Sequence, residues 1–232
     1  MQPNEIVDVF EQMAPGYDTL AAKIAPVYNG LYFMLEAVFF FLPEDARILC
    51  VGAGTGQEMA HLAKKFQHWR FTAVEPSPAM MNACRARAEN NGFADRCDFH
   101  EGFLDTLNMG TTYDGATCFL VSQFILETDA RRSFFHAIAK RLKPGGILAS
   151  ADVAAGPNQR EKDALIKQWC ILMSGDDYSV EKLEQMHRAY DDRILLLPPS
   201  TVASIIESSG FDSPFQFFQA GLVHAWCATR KL

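Results

Sequence analysis

The sequence predicts one α/β domain built on a doubly wound, mostly parallel, seven-stranded sheet that ends in an antiparallel hairpin. Three observations predict it. Short apolar runs alternate with helical patterns from Arg47 to Val153. A glycine-rich turn, Val51-Gly52-Ala53-Gly54-Thr55-Gly56, joins the first run to the first of these helices. Two apolar runs flank Ala220-Gly221, a hairpin signal. Strands that alternate with helices imply right-handed crossovers and a parallel sheet covered on both faces. With 232 residues, the chain suits a single domain, 1–232, with one sizeable core.

The elements follow in order. Residues 1–43 read as N-terminal helices, the first broken from the second at Pro15-Gly16. Arg47–Val51 is a first strand and Gln57–Phe66 its helix. Phe71–Val74 and Ala79–Asn90 form the second pair, and Asp98–Glu101 is a third strand. Tyr113–Val121 is the fourth, Ala130–Leu142 its helix, and Pro144-Gly145-Gly146 turns into a fifth, Ile147–Val153. Thr201–Ser209 is a helix closed by Gly210, followed by Phe215–Gln219 and Leu222–Ala228 as the hairpin. Residues 157–198, chiefly Asn158–Arg193, are longer than a crossover needs. They are expected to form a helical lid over the carboxyl edge of the sheet, where open α/β sheets bind ligands.

Composition narrows the function. The formal charge of −7 and scattered Lys and Arg give no basic face, which argues against a nucleic-acid partner. The six Cys form no CxxC pair and a single CxxH, Cys97-Asp98-Phe99-His100, with no second pair to complete a site, so no metal is expected. No basic stretch followed by an apolar one marks a signal peptide, and Leu31–Leu42 is shorter than the ~20 residues a bilayer span needs. The expectation is a cytoplasmic protein with reduced thiols and no membrane contact. Leu31–Leu42 has two readings, a homodimer interface or packing on the sheet.

The loop carries the chemistry. Glycines let the backbone turn tightly and approach a ligand, and the helix start that follows favours a carboxylate or phosphate. A dinucleotide fingerprint requires Gly where Gln57 stands, so the loop suits a smaller anionic group. Glu75 ends the second strand, where a carboxylate can accept from both hydroxyls of a ribose.

On Leu49–Gly56, Val74-Glu75-Pro76-Ser77, Glu101–Leu104, Tyr113–Val121 and Leu142-Lys143-Pro144-Gly145-Gly146, the sequence resembles the class I S-adenosylmethionine-dependent methyltransferases. The resemblance implies S-adenosylmethionine as cofactor and S-adenosylhomocysteine as product. It implies Gly52, Ala53, Gly54 and Gly56 along the methionine moiety, Glu75 and Pro76 at the ribose, and Phe103 and Leu104 beside the adenine. Two positions depart from the pattern: Cys50 stands where most relatives carry an acid, and Phe103 where most carry Asp. Through Ser77-Pro78-Ala79-Met80, Phe124-Ile125-Leu126-Glu127 and Tyr178-Ser179, the chain also resembles the carboxy-S-adenosylmethionine synthases of tRNA wobble-uridine modification. That closer likeness implies a cofactor contact from Tyr28 and another from residue 120, Leu here where the family has Asn. It also implies a carboxylate-gripping Arg at the register where His187 stands here, with Arg188 next to it.

A sulfonium methyl is already activated, so the protein need only align the reactants and exclude water; a general base is optional. Candidates to line the site are Tyr17, Tyr28, Ser122, Gln123, His187 and Arg188, with Tyr17, His187 and Arg188 the candidates for catalysis. Each has a plainer reading: Tyr17 as packing, Ser122 as a helix N-cap, His187 and Arg188 as a solvated helix face. The expected function is methyl transfer to a small-molecule acceptor. The alternatives are an enzyme handling a carboxylated cofactor and a non-catalytic, cofactor-binding relative.

Overall fold

The computed structural model describes residues 3–232, with side chains from residue 5 onward. Two helices, α1 (Pro3–Lys23) and α2 (Ala25–Val38), lead into the alternating body. It runs β1 (Arg47–Val51), α3 (Gln57–Lys65), β2 (Arg70–Glu75), α4 (Pro78–Asn90), β3 (Cys97–Glu101), β4 (Tyr113–Phe119), α5 (Thr128–Ala139) and β5 (Leu142–Val153). Helices α6 (Gln159–Ser174), α7 (Val180–Arg193) and α8 (Pro199–Ser208) precede the hairpin β6 (Phe211–Ala220) and β7 (Val223–Arg230). The sheet order is β3-β2-β1-β4-β5-β7-β6. All pairs are parallel except β5–β7 and β6–β7. The chain moves outward from β1 to β2 and β3, then returns to place β4 on β1's other side. The carboxyl ends of β1 and β4 therefore open a crevice.

Side-chain alternation decides which layer each strand feeds. Ile48 and Cys50 of β1 join Leu35, Met59, Leu62, Trp69, Phe71 and Met81 under α2, α3 and α4. Leu49 and Val51 join Ala116, Phe135, Ile138, Leu148, Ile205 and Trp226 under α5 and α8. Each such large apolar side chain contributes about 1.5–3 kcal/mol by leaving water. Helix α4 starts where Ser77 accepts from the Met80 amide and Pro78 takes the first turn, a position that needs no donor. The six cysteines are unpaired; all are buried except the half-buried Cys97.

Several elements differ from expectation. Pro15 lies inside α1 rather than ending it; the break comes at Ile24, before Pro26 in the first turn of α2. Contacts on either side of Pro15 offset its missing donor. Glu11 accepts from the Ser77 hydroxyl (2.6 Å) and the Ala79 amide (3.0 Å), and Asp18 bonds Thr55 and Gln57. Strand β5 begins at Leu142 rather than Ile147, because Lys143–Gly146 bulge out of register between the Tyr113–Leu142 and Gly115–Ile147 pairs. Strand β6 begins at Phe211 rather than Phe215, and Phe215 stands largely exposed. The stretch 31–42 divides: Leu31, Tyr32, Leu35 and Phe39 are buried, while Phe33, Phe40 and Phe41 face solvent.

Two helices, α6 and α7, lie within residues 157–198. Asn158 caps α6 and Ser179 caps α7. Ile166, Trp169 and Tyr190 pack on Val153, Leu222 and Val223 at the β5–β7 end of the sheet. No described helix is long and apolar enough to cross a membrane.

Candidate cofactor site

The glycine loop is held open by its own dihedrals. Gly52, Gly54 and Gly56 have φ of +68°, +54° and +76°, a region that favours glycine. The amides of Gly52 and Ala53 donate to the Val74 carbonyl (2.8 and 3.1 Å), tying the loop to β2. A Cβ on Gly52 would stand 2.3 Å from Val121 Cγ2, and one on Gly56 2.7 Å from Cys84 Sγ. A Cβ on Gly54 would meet no protein atom within 4 Å, because this glycine lines the cavities. The loop thus separates two roles, with Gly52 and Gly56 serving packing and Gly54 serving the space in front of it. Gly54→Ala should cost only the left-handed strain, about 1–2 kcal/mol, yet weaken nucleoside binding at least tenfold. Gly52→Ala should damage folding as well. Calorimetry paired with thermal melts separates the two, and undiminished binding by Gly54→Ala would show that no ligand approaches this amide.

Glu75 is the second wall. It is 6% exposed. Its two oxygens accept from the Gly54 amide (2.9 Å) and the Ser77 amide (3.0 Å). Burial pushes the carboxyl above its ordinary value while the two amides pull it down. Each oxygen keeps a lone pair for a ligand. Around Glu75 lies a cavity of about 570 Å³ whose walls include Val51, Pro76, Phe103, Leu104 and Leu120. Helix α1 roofs it with Ile6 and Phe10; the Phe10 ring meets Phe124 edge-on at 5.5 Å. The roof is pinned by Asp18, which accepts from Thr55 Oγ1 (2.7 Å) and Gln57 Nε2 (2.8 Å) and pairs with Arg87. Burial works against the Asp18 carboxylate, but these donors outweigh it and hold its pKa low.

A second, smaller cavity of about 40 Å³ adjoins the loop, between Tyr17, Tyr28, Tyr32, Glu58 and Leu120. The Tyr17 and Tyr28 side chains line it together, and burial pushes the pKa of each hydroxyl upward. Glu58, in the first turn of α3, is 8% exposed. Desolvation pushes its carboxyl up to about 7. Leu120, just past the end of β4, has φ of +58°, rare for a bulky residue. It lines both cavities and donates its amide to the Ala151 carbonyl at 2.6 Å.

Of the residues expected in the site, Tyr17, Tyr28, Gly52, Ala53, Gly54, Glu75, Pro76, Phe103, Leu104 and Leu120 line one cavity or both. Gly56 instead packs on Cys84 at the start of α3. Ser122 does not reach either cavity. The turn Ser122–Phe124 points it inward, where its hydroxyl donates to Asp152 (2.7 Å) and accepts from Arg131 (2.8 Å). Gln123 is likewise spent internally, its amide donating to Asp152 and its side chain accepting from the Val153 amide. His187 and Arg188 line neither cavity. Helix α7 turns Leu183, Met186 and Tyr190 toward its packing partners, which leaves His187 half-buried and Arg188 exposed. The lid helices α6 and α7 contribute no lining residue; α1 covers the larger cavity. Ile6, Phe10, Asp18 and Glu58 were not legible as site residues. Among the described residues no cluster of His, Cys, Asp and Glu could hold a metal.

Residues 48–146 match the family model described as a methyltransferase domain. The match covers less than half of the chain; together with the strand order and the motif placement it supports the class I S-adenosylmethionine-dependent methyltransferase fold. The chain is 22% identical over 200 residues to a carboxy-S-adenosyl-L-methionine synthase of Campylobacter lari, covering 86% of this chain and 84% of the relative. It is 30% identical over 113 residues to an erythromycin 3''-O-methyltransferase of Saccharopolyspora erythraea, covering 48% of this chain and 36% of that one. Among solved structures, an O-methyltransferase family 2 protein of Planctomyces limnophilus in complex with apigenin superposes with a TM-score of 0.66 at 14% identity. The alignment covers 99% of this chain and 62% of that one, so the chain spans under two thirds of that structure's length.

Proposed function

We propose that the protein binds S-adenosylmethionine and transfers its methyl group to a small-molecule acceptor. The observation that carries this reading is Glu75: a buried carboxylate at the carboxyl end of β2 that braces the Gly54 amide and faces a cavity walled by Pro76, Phe103 and Leu104. The fit is chemical as well as spatial. Glu75 keeps acceptor capacity for two ribose hydroxyls, Phe103 and Leu104 offer apolar faces to a purine, and the space before Gly54 admits an approaching chain.

When bound, the cofactor supplies an activated methyl on a sulfonium. The chain's own residues then have three tasks. Glu75 and the loop orient the nucleoside, Asp18 and Arg87 clamp α1 over it, and Ile6, Phe10 and Phe124 keep water out of the larger cavity. Alignment and exclusion of water are what a one-step displacement requires.

The carboxy-S-adenosyl-L-methionine synthase relative favours a second reading, a carboxylated cofactor. Plain methyl transfer is the better fit, because none of the residues lining either cavity is Lys, Arg or His, and an added carboxylate needs a cation. Mass spectrometry of the nucleoside that copurifies decides between them. Adenosylmethionine or its demethylated product supports methyl transfer, a carboxylated cofactor supports the second reading, and failure of the purified protein to bind either removes both.

A further inference from the structure

Glu58 has no use in the account given so far, and it is an expensive residue to keep. It sits in the first turn of α3, two residues past Gly56, with its side chain in the small cavity beside Gly54. Its only hydrogen-bond partner among the described residues is its own main-chain amide. Burying a carboxylate is costly, and here only its own first-turn amide and the charge of Arg87 offset the burial. The cavity's other walls include Tyr17, Tyr28 and Tyr32 beside the glycine loop, Phe119 and Leu120, and aromatic rings attract cations. A carboxylate and three aromatic rings enclosing a small cavity make a receptor for a compact positive charge.

The geometry points to Glu58 as the acceptor for the α-ammonium of the cofactor's amino-acid end. This rests on the reading of the site as an adenosylmethionine site and adds to it. The free amides at the start of α3 favour the carboxylate of that end. The ammonium is bonded to the same carbon, so its partner must stand close to that helix start, and Glu58, in the first turn of α3 and lining the cavity, does. The assignment also explains why Gly54 is bare: the chain linking ribose to amino acid must pass from Glu75 in the large cavity to Glu58 in the small one, and Gly54 lines both.

Protonation gives a signature. The groups around Glu58 are Tyr17 on α1, Tyr28 and Tyr32 on α2, Cys50 on β1, Glu75 on β2, Cys84 and Arg87 on α4, and Cys118 on β4, with Asp18 beyond Arg87. Arg87 favours the charged form and Glu75 opposes it, but burial dominates and sets the carboxyl at about 7. Below that pH the carboxyl must give up a proton before it can accept an ammonium. Adenosylmethionine should therefore bind more weakly as pH falls, approaching roughly tenfold per unit. A nucleoside without the amino-acid end should not show this dependence.

The test is calorimetry of the full-length protein between pH 6 and pH 7.5, with S-adenosylhomocysteine and with 5′-methylthioadenosine, which shares the nucleoside and the thioether. In the wild type, S-adenosylhomocysteine affinity should fall toward pH 6 while that of methylthioadenosine stays level. Glu58→Gln should weaken S-adenosylhomocysteine roughly ten- to a hundredfold at pH 7.5, abolish its pH dependence and change methylthioadenosine less than about twofold. Equal pH slopes for the two ligands in the wild type, or an unchanged affinity ratio in the variant, overturns the assignment and leaves the nucleoside site standing. Should the wild type bind neither ligand, the adenosylmethionine reading falls and this one with it. The wild-type comparison needs no variant, so it decides the matter even if Glu58→Gln folds poorly.

Discussion

Glu75→Ala should reduce S-adenosylmethionine affinity by about a hundredfold or more while the protein stays folded. The side chain does two things at once. It accepts from the Gly54 and Ser77 amides at 2.9 and 3.0 Å, which fixes the loop against β2, and it presents its remaining lone pairs to the cavity. Charge-assisted bonds of this kind contribute about 1.5–3 kcal/mol each, and Ala removes the ligand's bonds together with the loop's brace. The fold should suffer less, since Ala also removes a carboxyl whose burial already pushes its pKa upward. Glu75→Gln should fall between, because its amide nitrogen must face one of two donors. Isothermal calorimetry gives the affinities, and circular dichroism melts show that the variants are folded. Normal affinity in folded Glu75→Ala would mean that the ribose is held elsewhere.

Arg131→Leu should cost about 3–5 kcal/mol of stability, the usual result of stranding a buried charge. In a protein of this size that lowers the melting temperature by roughly 6–20 °C. Arg131 and Asp152 are both 0% exposed and pair at 2.9 Å. Asp152 also accepts from Ser122 and from the Gln123 amide, and Arg131 reaches the Leu195 carbonyl at 3.3 Å. Burial raises the Asp152 pKa, and Arg131 opposes that shift. Without Arg131 the pKa must rise further. A carboxyl whose folded pKa exceeds its unfolded value contributes stability that is present at low pH and lost as pH rises through the folded pKa. The deficit of the variant should therefore be smaller at pH 5 than at pH 8. Arg131→Leu with Asp152→Leu should regain much of the loss. A single variant that melts like the wild type would show that this pair does not anchor the turn after β4.

The parts of this fold that were legible in the sequence are those whose constraint is local. Val51–Gly56 could be read because three positive φ values in six residues require glycine, and Glu75 because it follows at the end of the next strand. The alternation from Arg47 to Val153 gave the parallel sheet for the same reason. What escaped depends on distant partners. Ser122 reads as a pocket residue or a helix cap until Arg131 and Asp152 are seen beneath it. Pro15 reads as a helix end until Glu11 and Asp18 are seen holding α1 on both sides. Glu58 is an ordinary polar residue of an amphipathic helix unless the three tyrosines from the N-terminal helices are known to close over it. His187 and Arg188 were placed by register alone, and on a helix each residue turns the side chain by about 100°.

The unpaired thiols give the molecule a set of internal clocks for alkylation. Cys50 and Cys118 lie on the two central strands and are 0% exposed, and burial pushes both thiols well above their ordinary pKa. Only a thiolate attacks an alkylating reagent, so these two should react only when the centre of the sheet opens, at a rate that measures the largest opening free energy in the chain. Cys97 on the outer strand is half-buried, and its thiol is raised to about 12. It should be modified through much smaller local openings. Cys84 belongs to neither group. Its sulfur would lie 2.7 Å from a Cβ at Gly56, against the turn that carries the loop. Its alkylation should slow when a ligand fastens that loop, and the ratio of its rate to that of Cys97 would report occupancy of the site with no label on the ligand.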